Sequence, residues 1–390
     1  MKKIIIHDYA GHPFTFELCN ELSKKYKIYY LYFANDIGPK ADFKIKKNNN
    51  LIIKAVGKDI NYNKKNFFNR FFQDIFYGIA VKKKINIIKP NLIISANCPT
   101  LAQEIILRAA KENNSKFIMW IQDIYSIATK RILTKKFLLV SFFVVFLFEF
   151  LEKRQVRLSD KLIIISKSFK KKLLSWDRKK NKLFFIPNWG NLKQIKIKPI
   201  DKNLYKKFGL RDKFRLVYTG TLGLKHNPNL ILYIAKSNSD IELVVSAAGS
   251  GFDSLKNNIN LPTNIKLLPL LPFEVYNKIL NSADIVFAML NKEADQFSVP
   301  SKILNYLCAA KPIILSAPLN NLSSQIVNQS KSGKTFAPND FNNLNSFFNH
   351  LKNNKKLRLK MGKNGRDYAK VNFDIKKITL KFENIFKKLI

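Results

Sequence analysis

Hydrophobic positions in this chain fall into short β-rich runs separated by stretches in which apolar residues recur at helical spacing. In the first half the runs Lys2–Ile6, Ile28–Phe33, Asn91–Ser95, Phe117–Ile121 and Lys161–Ile165 predict strands. Between the first two, Phe14–Lys25 (FTFELCNELSKK) carries a helical period, so the chain reads strand, turn containing Gly11, helix. The alternation then restarts. Strands are expected at Arg215–Tyr218, Ile241–Ala247, Asn264–Leu268, Ala283–Leu290 and Pro312–Ser316, with helices at Pro228–Lys236, Phe273–Asn281 and Ser301–Ala310. Such alternation predicts an α/β protein with two doubly wound parallel sheets, whose ligands bind beyond the carboxyl ends of the strands. Pro187 and Gly190 interrupt regular structure in Phe184–Leu192 (FFIPNWGNL), which puts the first domain at 1–192 and the second at 193–372. The Lys-rich segments Asn353–Asn372 and Ile375–Ile390 read as amphipathic helices, and residues 373–390 form a final helix.

Size agrees with this division, since 390 residues suit two cores of roughly 190 residues each. A 46% apolar content excludes a disordered chain. The charge of +42 would draw the protein to nucleic acid, anionic lipid or phosphate-bearing substrates. Alternatively, the abundance of Lys, Asn, Ile and Phe is what an AT-rich coding bias would impose. Cys19, Cys98 and Cys308 lie too far apart for a disulfide framework or a metal motif, which suits a reducing compartment. The opening MKKIIIHDYAG reads as a buried strand rather than a signal peptide, and a cytoplasmic location is expected. One segment complicates that expectation. Phe137–Phe148 (FLLVSFFVVFLF) is apolar on every face, yet its twelve residues are fewer than the roughly 20 needed to span a bilayer. It is either a core helix or a helix in the membrane interface.

Candidate chemistry lies at strand ends. In RLVYTGTLGL (Arg215–Leu224) a strand runs into a turn where Gly220, Thr221 and Gly223 would let a phosphate approach backbone N–H groups, with Lys225 beside them. A second stretch, QFSVPSKILNYLCAAKP (Gln296–Pro312), leads from Ser298, Val299 and Pro300 into a helix with Ser301 and Lys302 in its first turn. Free N–H groups, the helix dipole and an ammonium could converge there on an anion, and Asn305, one turn on, could reach a ribose hydroxyl. The same residues would also suit a capped helix with a solvated lysine. SAAGSG (Ser246–Gly251) adds a third loop of small residues that includes Gly251. The first half offers Asp8, Gly11 and His12, then Asn97, then Gln122 and Asp123. Asp123 could bind a sugar hydroxyl or act as a base. Lone polar residues at strand ends also serve as turn formers. No nucleophile elbow, Walker loop or zinc motif occurs.

At these residues the sequence resembles family 4 of the retaining glycosyltransferases. VYTGTLGLKHNP, SAAGSG, ADIVFAML and SVPSKILNYLCAAKP follow that family's second domain in order and spacing, and HDYAGHPF, WIQDIY and IPNW its first. The resemblance covers nearly the whole chain and is nearest to the branch that builds colanic acid, O-antigen and similar polysaccharides. It implies the GT-B fold: two Rossmann-like domains facing across a cleft, with the C-terminal helix returning to the first. It further implies a nucleotide-diphospho-sugar donor on the second domain, favouring UDP with an acetamido or deoxy sugar, and an acceptor, a lipid-linked saccharide, on the first. Lys225 would then neutralise the diphosphate, and Ser298, Val299, Ser301 and Lys302 would bind the phosphates. Leu271, within Leu270–Phe273, would line the nucleobase pocket, and Gly11 would let its loop approach the donor. The chain departs from the family in three places. Phe297 and Asn305 replace a glutamate pair, Thr221 and Leu222 stand where a basic residue is usual, and Gln122 and Asp123 stand where many members carry a His.

A hexosyltransferase of this kind stabilises the departing diphosphate with positioned cations and N–H groups. No Asp-x-Asp motif is present, so neither metal nor other cofactor is expected. The rivals are a sugar-nucleotide epimerase or a phosphorylase on the same scaffold, and a nucleic-acid-binding protein suggested by charge alone. The expected setting is the cytoplasmic face of the inner membrane, with peripheral contact to its anionic surface.

Overall fold

The computed structural model describes residues 1–35, 48–58, 67–133, 138–223, 225–292 and 302–390. The chain divides into two compact units, one of Met1–Pro187 with Ile375–Ile390, the other of Asn188–Asp374. The division comes slightly before residue 192 because the segment after Pro187 already belongs to the second unit. Gly190 lies against Leu304 and Cys308 so closely that a Cβ would collide with both, and Trp189 is buried.

In unit 1 the order is β1 (Lys3–Asp8), α1 (Pro13–Leu22), β2 (Lys27–Phe33), β3 (Leu51–Val56), α2 (Phe67–Ile88), β4 (Leu92–Ala96), α3 (Thr100–Glu112), β5 (Lys116–Ile121), α4 (Tyr125–Leu133), α5 (Leu138–Leu158), β6 (Lys161–Ile164), α6 (Phe169–Trp176) and β7 (Leu183–Phe185). Unit 2 follows with α7 (Asn203–Phe208), β8 (Arg215–Thr221), α8 (Pro228–Ser237), β9 (Glu242–Ala248), α9 (Ser250–Lys256), β10 (Ile265–Leu268), α10 (Phe273–Ser282), β11 (Ile285–Met289), α11 (Lys302–Cys308), β12 (Ile313–Ser316), α12 (Leu322–Gln329), β13 (Gly333–Phe336), α13 (Phe341–Asn353) and α14 (Lys355–Asn372). The last helix, α15 (Ile375–Phe386), belongs to unit 1, where Phe382 packs on Trp120 at 5.0 Å between ring centroids.

Both sheets are parallel throughout, ordered β3-β2-β1-β4-β5-β6-β7 and β10-β9-β8-β11-β12-β13. Their central strands are buried on both faces, which is why they read as continuous apolar runs rather than alternating ones. Strand order reverses between β1 and β4 in unit 1 and between β8 and β11 in unit 2, and such switch points open the crevices where α/β sheets bind ligands. Three strands lack a sequence signal. β3 follows an Asn- and Lys-rich stretch, β7 has three residues, and β13 is a polar edge strand that begins on Gly333, where a Cβ would collide with the Ile313 carbonyl.

The apolar run at 137–148 lies within α5, apart from Phe137, which is outside the described residues. It is not a core helix, since Phe143 and Phe146 are 75% and 66% exposed. No helix among the described residues is long and apolar enough to cross a membrane.

Candidate functional site

The carboxyl edge of unit 2 gathers several of the expected residues at its switch point. β8 ends in a turn at Gly220, whose φ of +94° is open to glycine at little cost. Lys302, the first residue of α11, extends its side chain over this turn. Its Nζ donates to the Thr221 carbonyl at 3.2 Å and sits 3.8 Å from the centroid of the Tyr218 ring. Tyr218 donates its hydroxyl to the same carbonyl at 2.7 Å. Burial pushes the Lys302 ammonium well below its ordinary value, and among the described residues no carboxylate pairs with it. Among the described residues a carbonyl and an aromatic face are its company, and a half-buried cation so placed can meet an anion.

Lys302 is held in place from one turn further along α11. The Tyr306 hydroxyl receives the Thr219 N–H at 3.0 Å and donates to the Phe287 carbonyl at 3.2 Å, which pins the helix to β8 and β11 together. Burial raises that phenol to about 12, so it stays protonated. Asn305 is half-buried on the same helix, near Tyr276 of α10, a phenol that burial also raises.

Lys225 lies in the turn after β8, where its carbonyl accepts the Asn291 N–H at 2.9 Å beyond the end of β11. Next to it, His226 receives the Gly223 N–H on Nδ1 at 3.1 Å. Burial, then the charge of Lys302, then that of Lys225 lower His226 to about 3, so the ring is neutral and reports the positive field of the site. Sequence reasoning missed Tyr306 and His226. The i, i+4 spacing of Tyr306 from Lys302 was the available signal for the first, and its adjacency to Lys225 for the second.

The loop SAAGSG packs against the turn that follows β8. The Gly251 N–H is spent on the Leu222 carbonyl at 2.8 Å. A Cβ at Gly249, where φ is +121°, would come 2.8 Å from that same oxygen. These glycines seat the Gly220 turn on the start of α9. Leu271 follows the edge strand β10 and is half-buried. Ser298, Val299 and Ser301, together with Phe297, lie outside the described residues.

Unit 1 presents a different edge. Gly11, φ +69°, closes the turn after β1 by donating its N–H to Asp8 at 3.1 Å. The buried Asp8 carboxylate accepts from the His12 N–H at 2.9 Å and the Thr15 hydroxyl at 2.7 Å, and His12 Nδ1 lies 3.0 Å away. Its pKa falls below the ordinary value: burial alone would raise it, but His12, Thr15 and the His12 backbone together outweigh that. Beyond β4 and β5 a pocket of about 280 Å³, counted with the solvent at its mouth, is lined by Asn97, Gln103, Gln122, Asp123, Glu152 and Gln155, among others. Asn97 adopts φ +46°, and Asp123 is half-buried. Glu152 reaches back from α5 to accept the N–H groups of Tyr125 and Ser126, at 2.7 and 3.0 Å, at the start of α4. Burial raises its carboxyl to about 7 despite those bonds. Gln103 Nε2, Gln155 Oε1 and the Thr100 hydroxyl have no protein partner here. The edge therefore offers neutral donors and acceptors suited to hydroxyl groups.

Residues 201–368 match the family model of Glycosyl transferases group 1. No curated protein is significantly similar to this chain in sequence. Among solved structures, a sucrose-phosphate synthase from Thermosynechococcus elongatus superposes with a TM-score of 0.74 at 14% identity, covering 100% of this chain and 99% of that one. HepE of Anabaena, solved with UDP-glucose, gives a TM-score of 0.70 at 15% identity with 100% of each chain covered. WaaG, a glycosyltransferase involved in lipopolysaccharide biosynthesis, gives 0.65 at 10% identity over 98% of this chain and 99% of its own. The fold is GT-B, built from two Rossmann-like units. With the family match in unit 2, it supports glycosyltransferase activity.

Proposed function

We infer that the protein is a retaining glycosyltransferase that takes a sugar from a nucleotide-diphospho-sugar held by unit 2 and transfers it to a saccharide held mainly by unit 1. The observation that carries this reading is Lys302, a half-buried ammonium laid over the Gly220 turn at the switch point of the unit that matches the glycosyltransferase model. Bond cleavage at the sugar's anomeric carbon leaves negative charge on the diphosphate, and Lys302 and Lys225 are the cations to receive it. No metal is required for that stabilisation. Tyr218 and Tyr306 hold the lysine so that little reorganisation accompanies the reaction. Asn305, beside Tyr276, serves the ribose. In unit 1, Asp123 and its neighbouring amides orient the acceptor hydroxyls.

UDP is the favoured nucleotide, carrying an acetamido or deoxy sugar, and HepE, which binds UDP-glucose, lends support. A lipid-linked saccharide is the favoured acceptor, as an intermediate of a cell-surface polysaccharide such as O-antigen. The exposed aromatic residues of α5 and the charge of +42 support peripheral attachment to an anionic cytoplasmic membrane face. The test is product analysis with purified protein. Free nucleoside diphosphate should be released only when acceptor is present, with the anomeric configuration of the donor kept in the product. A sugar epimerised without any acceptor would overturn the reading.

A further inference from the structure

The apolar surface of α5 does not stand alone. Moving outward from β4 to β5 and β6, right-handed crossovers place α2, α3 and α5 on one face of the unit 1 sheet. Contacts run from α2 to α3 and from α3 to α5. On α2, Phe72 and Phe76 are 55% and 53% exposed, and Ile79 is partly exposed. On α5 the exposed apolar residues include Phe143, Phe146, Leu147 and Phe150, and Ile87 and Leu158 are exposed near the far ends of α2 and α5. At 1.5 Å of rise per residue, the sets Phe72–Ile79 and Phe143–Phe150 both start about 7 Å and end about 18 Å from the first residue of their helix.

Between them, Leu101 and Ile105 of α3 are half-buried. Gly78 of α2 makes that junction close, since a Cβ there would lie 3.0 Å from Ala102 and 3.1 Å from Ile105. The surface is thus continuous across three helices. Further along, the same helices turn basic, with Lys83 and Lys84 on α2, Arg108 on α3, and Lys153 and Arg154 on α5. Glu104 pairs with Arg108 and Arg154 together, so one carboxylate answers two guanidiniums and a net positive charge remains.

We propose that α2, α3 and α5 form one membrane-docking face, in which Phe72, Phe76 and Ile79 enter an anionic bilayer beside the α5 aromatics, up to a basic collar that meets the headgroups. This rests on the reading that α5 faces lipid, and it adds α2 as a second inserting helix. An apolar rim backed by cations matches the order of acyl chains and anionic headgroups. A second copy of the chain is a poorer occupant, because two basic collars would be brought together. The rim adjoins the carboxyl edge that carries the Asn97–Asp123 pocket, so docking brings a lipid-borne acceptor to that pocket.

The experiment is cosedimentation of the full chain with vesicles of phosphatidylglycerol and phosphatidylcholine in equal parts. Phe72→Ser with Phe76→Ser should weaken binding about tenfold or more, as should Phe143→Ser with Phe146→Ser. Lys83→Glu with Lys84→Glu should weaken it less, and only at low salt. Transfer to a water-soluble acceptor should be unchanged in the α2 variant. Unaltered binding of the α2 variant while the α5 variant is lost would overturn the three-helix face and leave the α5 reading standing. Unaltered binding of both would remove both. A change in the α2 variant's solution mass with no change in vesicle binding would mark the face as an interface between copies and also overturn the proposal. Should the serine variants fold poorly, Phe76→Trp keeps the apolar character, and its emission must shift to the blue when vesicles are added. No shift would count against insertion.

Discussion

The two sheets end in edges of opposite chemistry. In unit 2 the switch point holds Lys302, with Lys225 in the turn after β8 and a histidine kept neutral by burial first and by the two lysines second. In unit 1 the corresponding edge holds a capped aspartate, buried amides and a glutamate raised to about 7. The same architecture therefore gives one edge a field for anions and the other hydrogen-bonding amides set among carboxylates. The fold fixes where each site lies, and side chains on the adjoining turns and helices decide what it takes.

The most severe way to test this contrast is to remove the cation. Lys302→Ala should lower kcat/KM on the order of 100-fold or more, the scale of losing one preorganised stabiliser of developing charge, whereas Asp123→Asn in unit 1 should raise the acceptor KM and leave donor binding intact. Burial works against charge on the same lysine. Its pKa is depressed in the folded protein, so the native state binds fewer protons than the unfolded one, and stability is lost as pH falls from its ordinary value through the depressed one. Lys302→Met should therefore raise the Tm of the ligand-free protein near neutral pH while abolishing turnover. A lower Tm for this variant would mean that the ammonium is stabilised in place.

Acid separates the units next. His226 is lowered from 6.5 to about 3 by burial and then by its lysine neighbours, so its contribution is present above pH 6.5 and is lost as pH falls towards 3. His7 of unit 1, lowered to about 4 by burial, behaves alike, for a loss of ~3 kcal/mol over its window. Glu152 has the opposite sign. Its raised carboxyl makes stability fall as pH rises from 4.5 to about 7, so in unit 1 the two groups oppose each other between pH 4.5 and 6.5. Unit 2 has no such counterweight among its shifted groups and should open first on acidification. Hydrogen exchange at pH 7 and 5 would show this as faster exchange in β8 and α11 than in β1 and β4, and equal acceleration would contradict it.

Smaller effects follow from the turn and the cap. Gly249→Ala forces a Cβ against the Leu222 carbonyl at a left-handed φ and should cost ~1–3 kcal/mol in urea unfolding, with the Gly220 turn displaced. Glu152→Gln should change stability least below pH 4.5, where the native carboxyl is protonated, while removing its slope between pH 4.5 and 7. A slope unchanged in that variant would assign it to another group.

Much of the fold was legible because the central strands are buried on both faces. Ile4–Ile6, Leu92–Ile94 and Val286–Ala288 are apolar whichever side they face. Edge strands such as β13 had no such signature. Lys302 and Lys225 could be read at the unit 2 edge because a glycine turn and a helix start leave local marks. Their supports were not legible, since Tyr306 reaches Thr219 and Phe287 across the tertiary fold. The same limit hid the partner of Gly251, whose N–H serves Leu222. In unit 1, Glu152 comes from the end of the apolar segment, and only folding brings it to the start of α4.

The most direct measurement is a thermal-shift titration of the full chain and of Lys302→Ala with UDP, GDP and dTDP and their sugar conjugates. A ligand that binds only the folded state raises its stability, so at 100 times Kd the gain is about 2.7 kcal/mol. The account predicts a concentration-dependent rise in Tm with at least one nucleoside diphosphate, largely lost in the variant. No shift with any of them, or an equal shift in the variant, would contradict it.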